Sequence, residues 1–244
     1  MMETPRLRMF AGPNGSGKST IQSVIRPELL GITINPDELE KEIAQFDFLD
    51  LEHYGIHTTA EEILGHFRNS SLLEKADLLD EVEELRFNDG KLSFRAVGVN
   101  SYYASVAADF LRRKLVQRSA SFTFETVMSS PDKVAFLQAA KARGYRTYLY
   151  YVATEDPIIN LSRVRNRVRQ GGHPVPDDKV ISRYERSLAL LAEAVRHTDR
   201  AYIFDNSSHS KVWLAEVTDG RELSFKADRM PAWFKTALWD KFGE

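Results

Sequence analysis

The 244-residue chain contains no cysteine. Disulfides, zinc–thiolate sites and thiol nucleophiles are therefore excluded. It has no apolar run near the ~20 residues that a membrane helix needs. Its opening, MMETPRLRMF, lacks the apolar stretch of a secretory signal. The expectation is a cytoplasmic protein with no membrane attachment. A surplus of one charge is missing as well: Lys plus Arg number 33, Asp plus Glu 35, and the net is −2. Chains that coat nucleic acid are usually net basic, so no nucleic-acid partner is expected. Internal repeats, low-complexity tracts and linkers are also absent. At this length one large domain can bury roughly 70–75% of its unfolded surface and needs no staples.

The near-neutral total conceals a polarity. Residues 37–89 hold 16 acidic and 4 basic residues, whereas 112–200 hold 17 basic and 9 acidic. The second stretch could face phosphates and the first would repel them. Ordinary solvated helix surfaces account for the same charges equally well.

Hydrophobic periodicity gives alternating elements. A strand at 7–11 runs into a glycine-rich loop and a helix from Lys18. A second strand, 31–34, is stopped by Pro36, and Asp37 can cap the helix after it. The text then reads as helical to about 87, followed by a turn at Asn88-Asp89-Gly90. Residues 91–99 fit either an inserted strand or a loop. Asn100 caps a helix to about 118. Further strands fall at 121–125, 147–152 and 201–204, and helices at 131–143, 157–170 and 177–195. Residues 212–217 and 222–225 read as a hairpin through Asp219-Gly220. A last helix, 232–242, puts Trp233, Phe234, Trp239 and Phe242 in the core. The alternation predicts an α/β fold: an open parallel sheet with helices on both faces. One domain over 1–244 is expected, carrying helical insertions.

Residues 12–19 read GPNGSGKS and match G-x-x-x-x-G-K-[ST], with a strand before and a helix after. Gly12, Gly15 and Gly17 let the backbone curl so that N–H groups point at phosphate oxygens. The helix N-terminus adds partial positive charge. Gly12, Pro13, Asn14, Gly15, Ser16, Gly17, Lys18, Ser19 and Thr20 are thus the nucleotide cradle. Lys18 reaches the β- and γ-phosphates, and the Ser19 hydroxyl serves Mg²⁺. The guanine signature N-K-x-D is absent, so ATP is expected rather than GTP.

The loop alone does not separate a switch, a motor and a kinase. The nearest match to a second metal-binding aspartate is Asp205, ending Ala201-Tyr202-Ile203-Phe204-Asp205. It lies on the last sheet strand, a position that flanks the base in many small kinases. We read it as a decoy, with Asn206 and Ser207 able to touch adenine. Two other carboxylates sit at strand ends, where ligands bind in open parallel sheets. Asp37 is the candidate base that takes a proton from an acceptor hydroxyl, work typically worth ~10²–10⁴ in rate; a plain helix cap is its alternative. Glu125 orders a metal-bound water, holds the acceptor, or caps the loop at Thr126.

Residues 163–176 read RVRNRVRQGGHPVP. Arginines on a mobile lid can stabilise charge on a transferring phosphoryl group. Arg163 and Arg167 share one helix face, and Arg165 and Arg169 another roughly 160° away. Leu161, Val164 and Val168 form the buried stripe between them. The spacing does not say which pair looks inward. Gly171-Gly172 supplies a hinge, and His173 either contacts phosphate or caps. Arg183 and Arg186 on the next helix are further phosphate candidates.

The blocks FAGPNGSGKST, INPDEL, SFTFETVMSS, RVRNRVRQGGHPVPDDKVISRYERSL and YIFDNSS, in this order, resemble the zeta-toxin-like kinases. The resemblance covers about 10–37 and 119–208. It implies a P-loop kinase sheet with a helical lid. Within one such domain 37–118 reads as a mostly helical acceptor-side insertion that matches no family block, 157–196 as the lid and following helix, and 212–244 as a C-terminal hairpin plus helix. Known members are toxins of toxin–antitoxin pairs that phosphorylate a sugar hydroxyl of UDP-N-acetylglucosamine. Carried over, the resemblance makes Lys18 the phosphate lysine, Asp37 the general base, and Glu125 and Thr126 acceptor-side residues. It makes Arg167 the lid arginine, which favours the pair Arg163 and Arg167. His173 falls near the family's second phosphate arginine, for which Arg183 could substitute. Asp109 corresponds to an acidic sugar-contacting residue. An antitoxin partner is implied too. The rival readings are a kinase for an antibiotic or nucleoside, a non-catalytic ATP-binding regulatory module, and a polynucleotide 5′-kinase, which the acidic stretch opposes.

Overall fold

The computed structural model describes residues 4–23, 25–172 and 174–242. Its chain forms two compact units, one of residues 1–31 with 121–244 and one of residues 32–120. Among the described residues the strands are β1 (Arg6–Ala11), β2 (Ile32–Ile34), β3 (Phe48–Asp50), β4 (Arg86–Asn88), β5 (Lys91–Ser93), β6 (Phe122–Thr126), β7 (Arg146–Ala153), β8 (Arg200–Asp205), β9 (Val212–Thr218) and β10 (Glu222–Phe225).

Within the first unit the strand order is β10-β9-β8-β7-β1-β6. β1 pairs in parallel with β6 and β7, and β7 with β8. The expected parallel sheet is therefore its centre, and the antiparallel pairs β8–β9 and β9–β10 extend one edge. Leu7, Met9, Phe10, Phe122, Phe124, Leu149, Tyr151, Val152, Ala201 and Ile203 are all buried. Such near-continuous apolar runs suit strands covered on both faces. Register aligns the carboxyl ends: Ala11 faces Thr126 on one side and Tyr151 on the other, and Ala153 faces Asp205. The chain leaving β1, β6, β7 and β8 thus emerges along one rim.

The helices of this unit follow the sequence reading closely. Asp132–Ala142 ends before Gly144, which takes a positive φ. Pro157–Arg169 is capped by Asp156, whose side chain accepts from the Ile158 N–H. The expected helix 177–195 divides at Leu190 into Asp177–Ala189 and Leu191–Arg196. Asp219 and Gly220 both have positive φ and, with Arg221, form the three-residue turn that sets Glu222 opposite Thr218. The final helix is shorter than expected, Ala232–Ala237 plus a 3₁₀ turn at Trp239–Lys241. Trp233 and Phe234 are buried, whereas Trp239 lies on the surface.

The second unit departs most from the sequence reading. Helix Pro36–Phe46 packs on helix Ser101–Gln117, with Ala60–Arg68 and two single turns beside them. The stretch read as helical to 87 also contains β3 and β4, which join β5 in a small antiparallel sheet, β3-β5-β4. Strand therefore occupies only Lys91–Ser93 of the undecided 91–99 segment. The turn explains the hairpin. Asp89 and Gly90 both have positive φ and bring Asn88 opposite Lys91. Leu49 and Leu92 bury one face of this sheet. Asn100 caps its helix as expected, accepting from Tyr102 and Tyr103. Asp37 does not cap: Asn35 does, accepting from the Asp37 N–H at 2.9 Å, because Pro36 occupies the first helical position.

Candidate active site

The phosphate loop leaves the carboxyl end of β1 and enters a helix of five residues, Lys18–Gln22. Lys18 is buried and curls back over the loop, donating from Nζ to the carbonyls of Gly12 at 3.0 Å and Pro13 at 3.2 Å. Its Nζ also stands 3.6 Å from Glu125 Oε1 at the end of β6. Ser19 and Thr20 are exposed on the first helical turn. Among the described residues, the buried Ser16 Oγ and Asn14 Oδ1 have no hydrogen-bond partner. A tight glycine loop with a buried ammonium group and an uncommitted hydroxyl fits an anionic phosphate chain.

Two asparagines grip this loop from outside. Asn160, fully buried, donates from Nδ2 to the Asn14 carbonyl at 2.5 Å, and its own Oδ1 accepts from Thr154 Oγ1. Asn206 donates from Nδ2 to the Ser16 carbonyl at 2.7 Å. Sequence reasoning set Asn206 beside the base; the structure places its amide on the loop itself. Asn160 and Thr154 were missed altogether. Gly15 and Gly17 answer to these neighbours. Both have positive φ, a Cβ on Gly15 would lie 2.6 Å from the Asn160 carbonyl, and a Cβ on Gly17 would strike the Asn206 amide.

Asp205 is buried at the end of β8 and serves its surroundings. It accepts from Trp233 Nε1 at 2.7 Å, from Ser207 Oγ at 2.8 Å and from the Ser207 N–H at 3.0 Å. Ser207 Oγ in turn accepts from the Glu155 N–H at 2.8 Å. The C-terminal helix thus fixes the turn that presents Asn206.

The arginine helix Pro157–Arg169 is anchored to the loop through Asn160. At 100° per residue, Arg167 lies about 20° and Arg163 about 60° from Asn160 around the helix, while Arg165 and Arg169 lie about 140° and 180° away. The face touching the phosphate loop is therefore the one bearing Arg163 and Arg167. Arg165 is drawn elsewhere, into an ion pair with Asp177. Arg163 Nη1 is buried without a hydrogen-bond partner among the described residues. Leu161 and Val164 pack against Val180 of the next helix, with Val175 beside them. The Gly172 N–H closes the helix on the Arg167 carbonyl at 2.9 Å. Arg183 is half-buried on helix Asp177–Ala189. Thr126 Oγ1 accepts from the Met128 N–H at 3.1 Å. His173 lies outside the described residues.

The remaining two site candidates belong to the second unit. Asp37 is exposed on the first turn of its helix. Asp109 accepts from Arg112 at 3.1 Å and Arg113 at 2.6 Å, and lies 3.6 Å from His66 Nε2. Burial raises the Asp109 carboxyl, but the two arginines outweigh it and hold the group below its ordinary value. Burial pushes the His66 imidazole down, against the pull of Asp109.

Comparison with known proteins places this fold and its family. The chain is similar to AvrRxo1-ORF1:AvrRxo1-ORF2 solved with ATP, at TM-score 0.58 and 17% identity, covering 98% of this chain and 63% of that one. The same complex with sulphate ions gives TM-score 0.58 and 16% identity, over 91% and 61%. An uncharacterized protein of Haemophilus influenzae is 30% identical over 69 residues, 28% of this chain and 49% of that protein. The chain therefore spans about half to three-fifths of the length of these relatives. Among the described residues no helix is long and apolar enough to cross a membrane. The Zeta toxin family profile matches residues 93–218, more than half of the chain. The mostly parallel sheet with its phosphate loop is the P-loop kinase fold, and the chain belongs to the zeta toxin family.

Proposed function

We propose that this protein is a cytoplasmic, ATP-dependent phosphotransferase that moves the γ-phosphate to a hydroxyl of a small molecule, UDP-N-acetylglucosamine being the acceptor. One observation carries the reading. A glycine loop with a buried lysine is touched by a helix whose same face bears Arg163 and Arg167. Phosphate binding needs the loop; stabilising a phosphoryl group in flight needs the arginines.

In this reading ATP is a substrate. The loop and Lys18 hold its phosphates, and the Ser19 hydroxyl would hold Mg²⁺, which would supply positive charge against the phosphates. Asp37 takes the acceptor proton, a role that rests on the family pattern INPDEL. The freed oxygen attacks the γ-phosphorus, the bond to the β–γ bridging oxygen breaks, and ADP leaves with that electron pair. Arg163 and Arg167 balance the charge, with Arg183 and His173 as further phosphate contacts. Glu125, Thr126 and Asp109 face the acceptor. An antitoxin partner is proposed from family membership; the AvrRxo1-ORF1 chain is itself solved with a second chain.

The test is incubation with γ-labelled ATP and UDP-N-acetylglucosamine, followed by mass spectrometry. The proposal expects a phosphorylated sugar nucleotide in proportion to ADP. ADP formed without it would remove this acceptor.

A further inference from the structure

We propose that Asn160 and Asn206 are positioning residues that set the direction of the phosphate loop's backbone donors. The inference rests on the phosphate-binding reading above; Asn160 lies outside the loop motif and the matched family blocks, and Asn206, which lies in the block YIFDNSS, takes a role on the loop instead of on adenine.

A peptide unit is planar, and no cis bond occurs among the described residues. In a trans unit the C=O and the following N–H point in opposite directions. Holding the Asn14 carbonyl therefore aims the Gly15 N–H the other way. Holding the Ser16 carbonyl does the same for the Gly17 N–H. Asn160 holds the first at 2.5 Å and Asn206 the second at 2.7 Å. The unit between them is fixed separately, because the Ser16 N–H donates to the Pro13 carbonyl at 3.2 Å. Both clamps pull carbonyls outward, so the two glycine donors are turned to the inner side of the loop.

Each clamp is itself braced. The Asn160 carbonyl oxygen Oδ1 accepts from Thr154 Oγ1, which fixes which end of the amide faces the loop. The Asn206 N–H donates to the Ala153 carbonyl at 2.9 Å, and the preceding Asp205 is held by Trp233 and Ser207. Glycines at positive φ have several accessible peptide orientations. Donors fixed before the ligand arrives need no reorganisation when it binds. Asn160 also sits on the helix face of Arg163 and Arg167, so one residue ties the arginines to the loop they serve.

The test uses the full chain labelled with ¹⁵N-glycine and titrated with ATP and, separately, with pyrophosphate. In the wild type the Gly15 and Gly17 amide resonances are expected to shift. Asn206→Leu removes the donor without adding charge. It is expected to abolish most of the Gly17 shift, to keep most of the Gly15 shift, and to weaken ATP binding about tenfold, the size of one lost well-placed hydrogen bond. Asn206→Ala is the second variant, and thermal melts confirm that both are folded. Asn160→Ala is expected to give the converse pattern. Folded Asn206 variants that keep both glycine shifts and bind ATP within twofold of wild type overturn the inference, as do variants in which both glycines lose their shifts equally. A wild type that binds neither ATP nor pyrophosphate overturns the nucleotide reading, and the inference with it.

Discussion

Lys18 Nζ stands 3.6 Å from Glu125 Oε1, with 8% and 17% of the two side chains exposed. The pair links the first residue of the helix that follows the phosphate loop to the end of β6, the strand beside β1. A carboxylate beside the lysine opposes a bare triphosphate and suits one that carries a cation. Replacing Glu125 by Gln is therefore expected to tighten ATP binding measured without Mg²⁺. It should also lower phosphoryl transfer with Mg²⁺ by about 10²-fold, the scale of one lost electrostatic group. Calorimetry with and without the ion, beside a rate assay, checks both directions.

The two arginine pairs separate by face. Arg163→Met and Arg167→Met are each expected to slow transfer by about 10²-fold or more. Arg165→Met, which removes only the exposed ion pair to Asp177, should stay within about twofold of wild type, in keeping with the small worth of such pairs. Steady-state rates of the three variants decide this.

Asp37→Asn should keep ATP affinity and lose about 10²–10⁴ in transfer rate, the range for a removed general base. The check pairs an ATP titration with a product assay. A wild-type rate would remove Asp37 from the mechanism.

Stability should fall on the acid side in two windows. The folded His66 sits below its ordinary 6.5, because burial penalises the charged ring. Below 6.5 the unfolded chain binds more protons than the folded one, so stability drops until the folded value is passed. Asp109 sits below its ordinary 3.8. Its contribution is present above 3.8 and is lost as pH falls toward the folded value. Urea melts from pH 7.5 to 3 should show both declines, and His66→Gln should flatten the first.

Trp233→Phe withdraws one donor from the buried Asp205 carboxylate. A loss of about 1–3 kcal/mol is expected from leaving a buried acceptor short of a partner. Urea unfolding of the two proteins measures it.

The phosphate loop could be read directly because its backbone demands particular residues. Gly15 and Gly17 sit at positive φ against close neighbours, and Lys18 needs its one position. The alternation of β1, β6, β7 and β8 with helices was equally legible, since each strand carries large apolar residues that are buried in the sheet. The clamps were not. Asn160 meets Asn14 across 146 positions and Asn206 meets Ser16 across 190, and an asparagine announces no partner at such distances. The small sheet was hidden for a different reason. Three-residue strands such as Phe48–Asp50 are too short to show an alternation against acidic, helix-favouring text. The cap at Asn35 was misplaced by two positions because proline at the first helical site shifts the helix start forward. The tie between the arginine pairs needed one tertiary contact, that of Asn160, to break it on geometry alone.

The most direct test of the account is a transfer assay in which wild-type protein meets γ-labelled ATP and a cell metabolite extract. The account predicts label on a small hydroxyl compound, with none formed by Lys18→Met. Label that stays in ATP and inorganic phosphate, with ATP binding intact, would contradict it.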